Sequence, residues 1–109
     1  MTVINPDPLT RLQDWYRYQA DGRWEHHYGI SITTLDNPGW RLSIDLDSTT
    51  LSNRPFKNIK YRGSATADWF DCYVRDNKYQ ACSGPMMLGE IISIFWRGQR
   101  RLGEGKRLG

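Results

Sequence analysis

The sequence predicts an α+β fold in two layers: an antiparallel sheet of four to five strands with an N-terminal and a C-terminal helix packed on one face. Three observations predict it. Apolar side chains recur at spacings of three and four near both ends of the chain, they alternate with polar ones through residues 28–46, and they alternate again through residues 69–82.

The first element is a helix over residues 8–20. Asp7 is placed to cap its free amides, and Pro8 suits the first helical position. Leu9, Leu12, Tyr16 and Gln19 or Ala20 fall on one stripe with Trp15 beside them, Arg11, Asp14 and Arg17 take the wet side, and Asp21-Gly22 ends the helix.

From Tyr28 the period becomes two. Tyr28, Ile30 and Ile32 alternate with Gly29, Ser31 and Thr33, and Trp40, Leu42, Ile44 and Leu46 alternate with Arg41, Ser43, Asp45 and Asp47. Between them Asp36-Asn37-Pro38-Gly39 has Pro then Gly where a type II turn wants them, so the pair reads as a hairpin.

Residues 47–55 are small and polar enough for a loop, and residues 56–61 form a short strand that Pro55 suits as an edge. Phe70, Cys72 and Val74 alternate with Trp69, Asp71, Tyr73 and Arg75, and Asp76-Asn77 makes a tight turn into residues 78–82, a second hairpin. Gly84-Pro85 breaks the strand. Leu88, Ile91, Ile92 and Phe95 then return to helical spacing on a helix ending near Gly98. The expected core gathers Leu12, Tyr16, Ile30, Ile32, Leu42, Ile44, Phe70, Cys72, Val74, Leu88, Ile91, Ile92 and Phe95.

With 109 residues the chain is too short for two cores, so residues 1–98 are expected to form one domain and residues 99–109 a basic, flexible tail. Apolar residues supply 39% of the chain, and the five Trp and six Tyr must provide much of the buried area. The net charge of +3 is unevenly placed. Residues 97–109 hold five basic side chains against one acidic, whereas residues 1–96 hold ten against eleven, so the expected folded body is almost neutral.

No run approaches the roughly 18–20 apolar residues of a membrane helix, and Met1 to Pro6 lacks the basic-then-apolar order of a leader, so a cytoplasmic protein is expected, with no membrane partner. Two cysteines are too few for a secreted disulfide framework. With Asp76-Asn77 as a two-residue loop, Cys72 faces Ala81, and Cys82 stands one residue out of register on the other face, so reduced thiols are expected.

Trp24-Glu25-His26-His27-Tyr28 contains the residue types of metal and acid/base sites. On an extended segment, however, His26 and His27 point to opposite faces and no third histidine exists, so no metal and no cofactor are expected. Cys72 shares a strand face with Phe70 and Val74, the setting of an inert core thiol. The glycine and cysteine motifs of nucleotide cradles, nucleophile elbows and redox pairs do not occur, so no catalytic residue and no small-molecule substrate are assigned.

Nucleic acid is set aside as the main partner, because the basic residues cluster in the tail while the aromatics sit in the periodic elements. What remains is the sheet face opposite the helices, where Arg41, Ser43, Asp45, Trp69, Asp71, Tyr73 and Arg75 stand together if the hairpins are adjacent. Trp, Tyr and Arg among charges are the currency of protein interfaces.

Three stretches, Trp24-Glu25-His26-His27-Tyr28-Gly29-Ile30, Thr34-Leu35-Asp36-Asn37-Pro38-Gly39-Trp40 and Asp68-Trp69-Phe70-Asp71-Cys72, resemble the immunity protein 53 family of bacterial polymorphic toxin systems. The resemblance extends over most of residues 9–96, including Leu12, Trp15, Arg54-Pro55-Phe56 and Gly84-Pro85, but not over the basic tail. It implies an intracellular protein, encoded beside a toxin, that blocks the toxin domain by binding it and performs no catalysis.

The expected toxin-contacting residues are therefore Arg41, Asp45, Trp69, Asp71 and Tyr73, with Asp45 and Asp71 as phosphate mimics if the toxin is a nuclease. Trp24, Glu25, Tyr28, Asp36, Asn37, Pro38, Gly39 and Trp40 are motif positions with an expected structural role. Two other readings stand beside this one: a nucleic-acid module driven by the tail, and a small thiol enzyme using Cys72.

Overall fold

In the computed structural model, which describes residues 7–97, helix α1 (Pro8–Gln19) begins where the Asp7 carboxylate accepts the Thr10 amide at 2.7 Å. This bond satisfies one of the orphan amides of the first turn and holds the Asp7 carboxyl below its usual range. The buried stripe of α1 is rotated from the expected one. Leu12 is buried and Trp15 half-buried, whereas Leu9 and Tyr16 are 51% and 42% exposed. Trp15 causes the rotation: its ring meets those of Trp24, Phe95 and Trp96 edge-on at centroid distances of 5.8, 5.6 and 6.4 Å, and this larger apolar area fixes which side faces inward.

A second, one-turn helix, α2 (Trp24–His27), replaces the strand lead-in expected there. The Asp21 carboxylate accepts the amides of Arg23 and Trp24, both at 3.1 Å, while the Glu25 carboxylate accepts the Gly22 amide at 2.9 Å. Local capping bends the chain into a turn that drives Trp24 inward, where its indole N–H donates to the Asp47 carbonyl at 2.9 Å.

Five strands follow: β1 (Ile30–Leu35), β2 (Gly39–Asp45), β3 (Ile59–Arg62), β4 (Trp69–Arg75) and β5 (Lys78–Ser83). They form one antiparallel sheet in the order β1-β2-β5-β4-β3. Residues 88–97 form a further helix, α3. The fold is thus the expected α+β class, with β5 at its centre joining the two hairpins.

The β4–β5 hairpin has the expected register, Arg75 opposite Lys78 and Cys72 opposite Ala81. Its two loop residues, Asp76 and Asn77, have φ of 54° and 59°, the left-handed pair that matches the twist of the strands. The first hairpin differs from expectation. Leu35 pairs with Gly39, leaving Asp36, Asn37 and Pro38 as a three-residue loop, and Gly39 does not take the positive φ of a type II turn. Gly39 is needed for space instead: a β-carbon there would collide with the Ser83 carbonyl oxygen on β5. The third strand starts at Ile59, three residues later than expected, because Phe56 leaves the sheet line to pack edge-on against Tyr79 at 5.5 Å. Pro55 therefore precedes the strand in an irregular segment.

One sheet face carries the core. Leu42, Ile44, Phe70, Cys72, Tyr79 and Ala81 pack with Leu12 of α1 and Ile91, Ile92, Ile94 and Phe95 of α3. Trp24, Leu46, Leu51, Tyr79, Ala81 and Ile94 join the expected members, while Ile30, Val74 and Leu88 are only partly buried. Ile32 is 39% exposed, because β1 is an edge strand and Ile30 takes its place nearer Leu12 and Tyr16 of α1. Among the described residues no helix is long and apolar enough to cross a membrane. The expected basic tail, residues 99–109, lies outside the described residues.

Candidate docking face

Side chains alternate between the two faces of a strand, so fixing the core residues fixes the opposite face as well. The strand registers place Arg41, Ser43 and Asp45 of β2, Lys78, Gln80 and Cys82 of β5, Trp69, Asp71, Tyr73 and Arg75 of β4, and Lys60 and Arg62 of β3 on it. None of these side chains is buried. All five residues expected to contact a partner, Arg41, Asp45, Trp69, Asp71 and Tyr73, lie on this open face.

They are not direct neighbours, because β5 runs between the two strands that carry them. Cys82 stands between Arg41 and Asp71, Gln80 between Ser43 and Tyr73, and Lys78 between Asp45 and Arg75. Sequence reading left Lys60, Arg62, Lys78 and Gln80 out of the face. The signal for the β5 residues was in hand, since the Asp76-Asn77 turn fixes Arg75 opposite Lys78, and Gln80 follows by alternation. Lys60 and Arg62 depend on where β3 begins, which no local pattern specifies.

Both acidic members are already engaged. Asp45 accepts the Lys78 ammonium at 2.7 Å and the Gly29 amide at 2.9 Å, an arrangement that raises the Lys78 pKa chiefly through the hydrogen bond. Asp71 takes a two-pronged contact from the Arg62 guanidinium, at 3.2 and 3.4 Å. A carboxylate committed to a neighbouring cation is a poor phosphate mimic, so these residues are better suited to orienting Lys78 and Arg62.

The two aromatic residues each lie under a guanidinium, Arg62 over Trp69 at 5.7 Å and Arg75 over Tyr73 at 5.3 Å from the ring centroids. At the Trp69 end the 63–68 loop curls beside the sheet, leaving a hollow of about 380 Å³ bounded by Arg62, Gly63, Ala65, Thr66, Asp68 and Trp69. The arrangement offers cations, apolar ring area and a recess to a macromolecule.

The motif positions do different work. Trp24 is buried and anchors α2 to Asp47, Glu25 caps the Gly22 amide, and Tyr28 lies with its ring centroid 6.0 Å from that of Trp24. Trp40 sits on the core side of β2 and donates its indole N–H to the Pro85 carbonyl at 2.9 Å, tying the first hairpin to the segment before α3. Asp36, Asn37 and Pro38 form the exposed hairpin tip.

Cys72 is 1% exposed, and burial pushes its thiol up to about 11, which removes the thiolate a nucleophile requires. Both cysteines are free. His26 and His27 stand exposed on one helical turn at the rim of a cleft of about 890 Å³ that also includes Tyr18, Asp21 and Ser48. Among the described residues no three His, Cys, Asp or Glu side chains come together to hold a metal.

Residues 9–99 match the family model described as Immunity protein 53. No curated protein and no solved structure matches the chain.

Proposed function

Because the chain belongs to the immunity protein 53 family, we propose that it neutralises a cognate bacterial toxin domain by stoichiometric contact in the cytoplasm and catalyses no reaction. Family membership across residues 9–99 is the observation that carries this reading. The open sheet face supports it, with Arg41, Trp69 and Tyr73 as contact residues and Asp45 and Asp71 holding adjacent cations in position. An interface of ordinary size would cover on the order of 800 Å² on each partner.

The test begins with the neighbouring gene: it should encode a large secreted protein with a variable C-terminal domain, and that domain is then co-expressed with this chain. Protection of the cells from that domain, together with recovery of the pair as a stoichiometric complex, is the expected outcome. Cells that die regardless, with no complex recovered, would remove the reading.

A further inference from the structure

The charge on the open face does not mirror that of the described residues as a whole. The described residues carry eleven basic and eleven acidic side chains and are neutral as a whole. The strand positions of the open face nonetheless hold five cations, Arg41, Lys60, Arg62, Arg75 and Lys78, against two carboxylates, Asp45 and Asp71, with Asp68 at the rim of the hollow beside Trp69. These strand positions carry a surplus of three positive charges, balanced by an equal acidic surplus among the other described residues.

The two carboxylates are spent on Lys78 and Arg62. Among the described residues, Arg41, Lys60 and Arg75 face no carboxylate within ion-pairing distance. Register places Arg41 and Lys60 in one row across the sheet, Arg41–Cys82–Asp71–Lys60. Three strand spacings separate them, roughly 14 Å. Arg75 lies on β4 between these two strands, with its guanidinium over Tyr73. A guanidinium seated over a ring makes a cation–π contact without using its N–H groups, which leaves them for two-pronged donation to a carboxylate.

We infer that the open face is a receptor for an acidic protein surface, with Arg41, Lys60 and Arg75 as the carboxylate-binding positions around the apolar centre made by Trp69 and Tyr73. The inference rests on the reading of the chain as a toxin-binding protein and specifies the chemistry of the toxin surface it covers. A nucleic acid would also be drawn to cations, but a base-stacking platform needs open ring faces, and here Arg62 and Arg75 lie over the two rings. Carboxylates spaced along a protein surface use the guanidinium edges and leave the rings as packing area.

The experiment measures affinity for the toxin domain identified by the co-expression test, using wild type and the double variant Lys60→Glu with Arg75→Glu, both exposed strand positions. Expected is a loss on the order of 100-fold, as like charges replace opposite ones. Wild-type affinity should also fall as salt rises, and Arg17→Glu on the outer side of α1 should bind like wild type. Lys60→Gln with Arg75→Gln removes charge without adding repulsion and gives a smaller loss in the same direction; it stands in if the reversed pair is unstable. Wild-type affinity in both double variants overturns the acidic-partner inference and leaves toxin binding standing. Absence of wild-type binding overturns toxin binding itself, and the inference with it. A single-stranded RNA oligonucleotide that binds wild type, and is lost in the double variant while toxin affinity is kept, assigns the face to nucleic acid and also overturns the inference.

Discussion

The Tyr79 hydroxyl, on the central strand, donates to the Ile91 carbonyl of α3 at 2.7 Å, and both residues are fully buried. The bond pins the C-terminal helix to the middle of the sheet, while the ring packs between Phe56 and Phe95 at 5.5 and 5.1 Å. Burial pushes the phenol pKa upward, which favours the protonated hydroxyl that donates this bond. Tyr79→Phe keeps the ring and loses the bond, and the Ile91 carbonyl retains its helical partner, so the expected cost is about 1 kcal/mol. Tyr79→Ala empties the site and should cost about 3–5 kcal/mol. Urea midpoints at unchanged slope measure both; equal midpoints for wild type and Tyr79→Phe would show that the bond adds nothing.

Two glycines in the motif region should differ in their response to alanine. At Gly39 a β-carbon would meet the Ser83 carbonyl oxygen, a backbone atom that cannot swing away, whereas at Gly29 nothing lies within 4 Å. Gly39→Ala is expected to destabilise by about 1–3 kcal/mol through overpacking at the β2–β5 contact. Gly29→Ala should leave the melting temperature near that of wild type. The reverse order in thermal melts contradicts the close-approach role assigned to Gly39.

The same contrast shows how far the sequence could be read. Alternation is a local signal, so both hairpins, the Arg75–Lys78 register and the opposite facing of Cys72 and Cys82 were legible from residues a few positions apart. Tyr79 escaped the expected core because its strand offers only Tyr79, Ala81 and Ser83 inward, too weak an apolar pattern to reveal a central strand. Its burial comes from pairing with β2 and β4, a long-range fact. Tyr16 shows the complementary case: its spacing fits a helical stripe, yet Trp15 takes the inward position through aromatic partners about eighty residues away in α3. On the open face the charges on β2 and β4 could be read, but not that Lys78 and Arg62 occupy Asp45 and Asp71.

Thiol chemistry separates the two faces of the sheet. Cys72 is sealed in the core, whereas Cys82 is half-exposed on the open face between Arg41 and Asp71. Native protein at mildly alkaline pH should take up one equivalent of iodoacetamide, at Cys82, and denatured protein two. A toxin seated on the open face should slow the native reaction. Peptide mass mapping decides the site, and modification of Cys72 in the native state would restore it as a candidate nucleophile.

Acid should loosen the N-terminal helices first. The Asp7 and Asp21 carboxyls are held below the ordinary value of 3.8, chiefly by the backbone amides of Thr10 and Trp24 respectively. A folded-state pKa below the unfolded one means that the contribution is present above the unfolded value and is lost as pH falls through the folded one. Helical circular dichroism should therefore decline below pH about 4. Asparagine also caps helices, so Asp7→Asn with Asp21→Asn should flatten that limb while changing little at neutral pH. An unaltered acid limb in the double variant assigns the sensitivity to other carboxylates.

Trp69 and Tyr73 give the sharpest test of the proposed docking face, because neither contributes to the buried core, which excludes both. Each ring lies under an arginine, and in an interface centred on them the rings lose their remaining water contact while the guanidinium groups stay engaged. Truncating both to alanine removes the apolar centre and the rings over which Arg62 and Arg75 lie. Affinity for the toxin domain should fall by more than about 2 kcal/mol, as for aromatic anchors at other interfaces. The thermal transition should barely move, since a half-exposed ring on an uncovered face contributes little to stability. Calorimetric titration of the double variant measures the first and a melting curve the second: unchanged affinity moves the docking site to another surface, and a collapsed melting curve shows that the rings support the sheet itself.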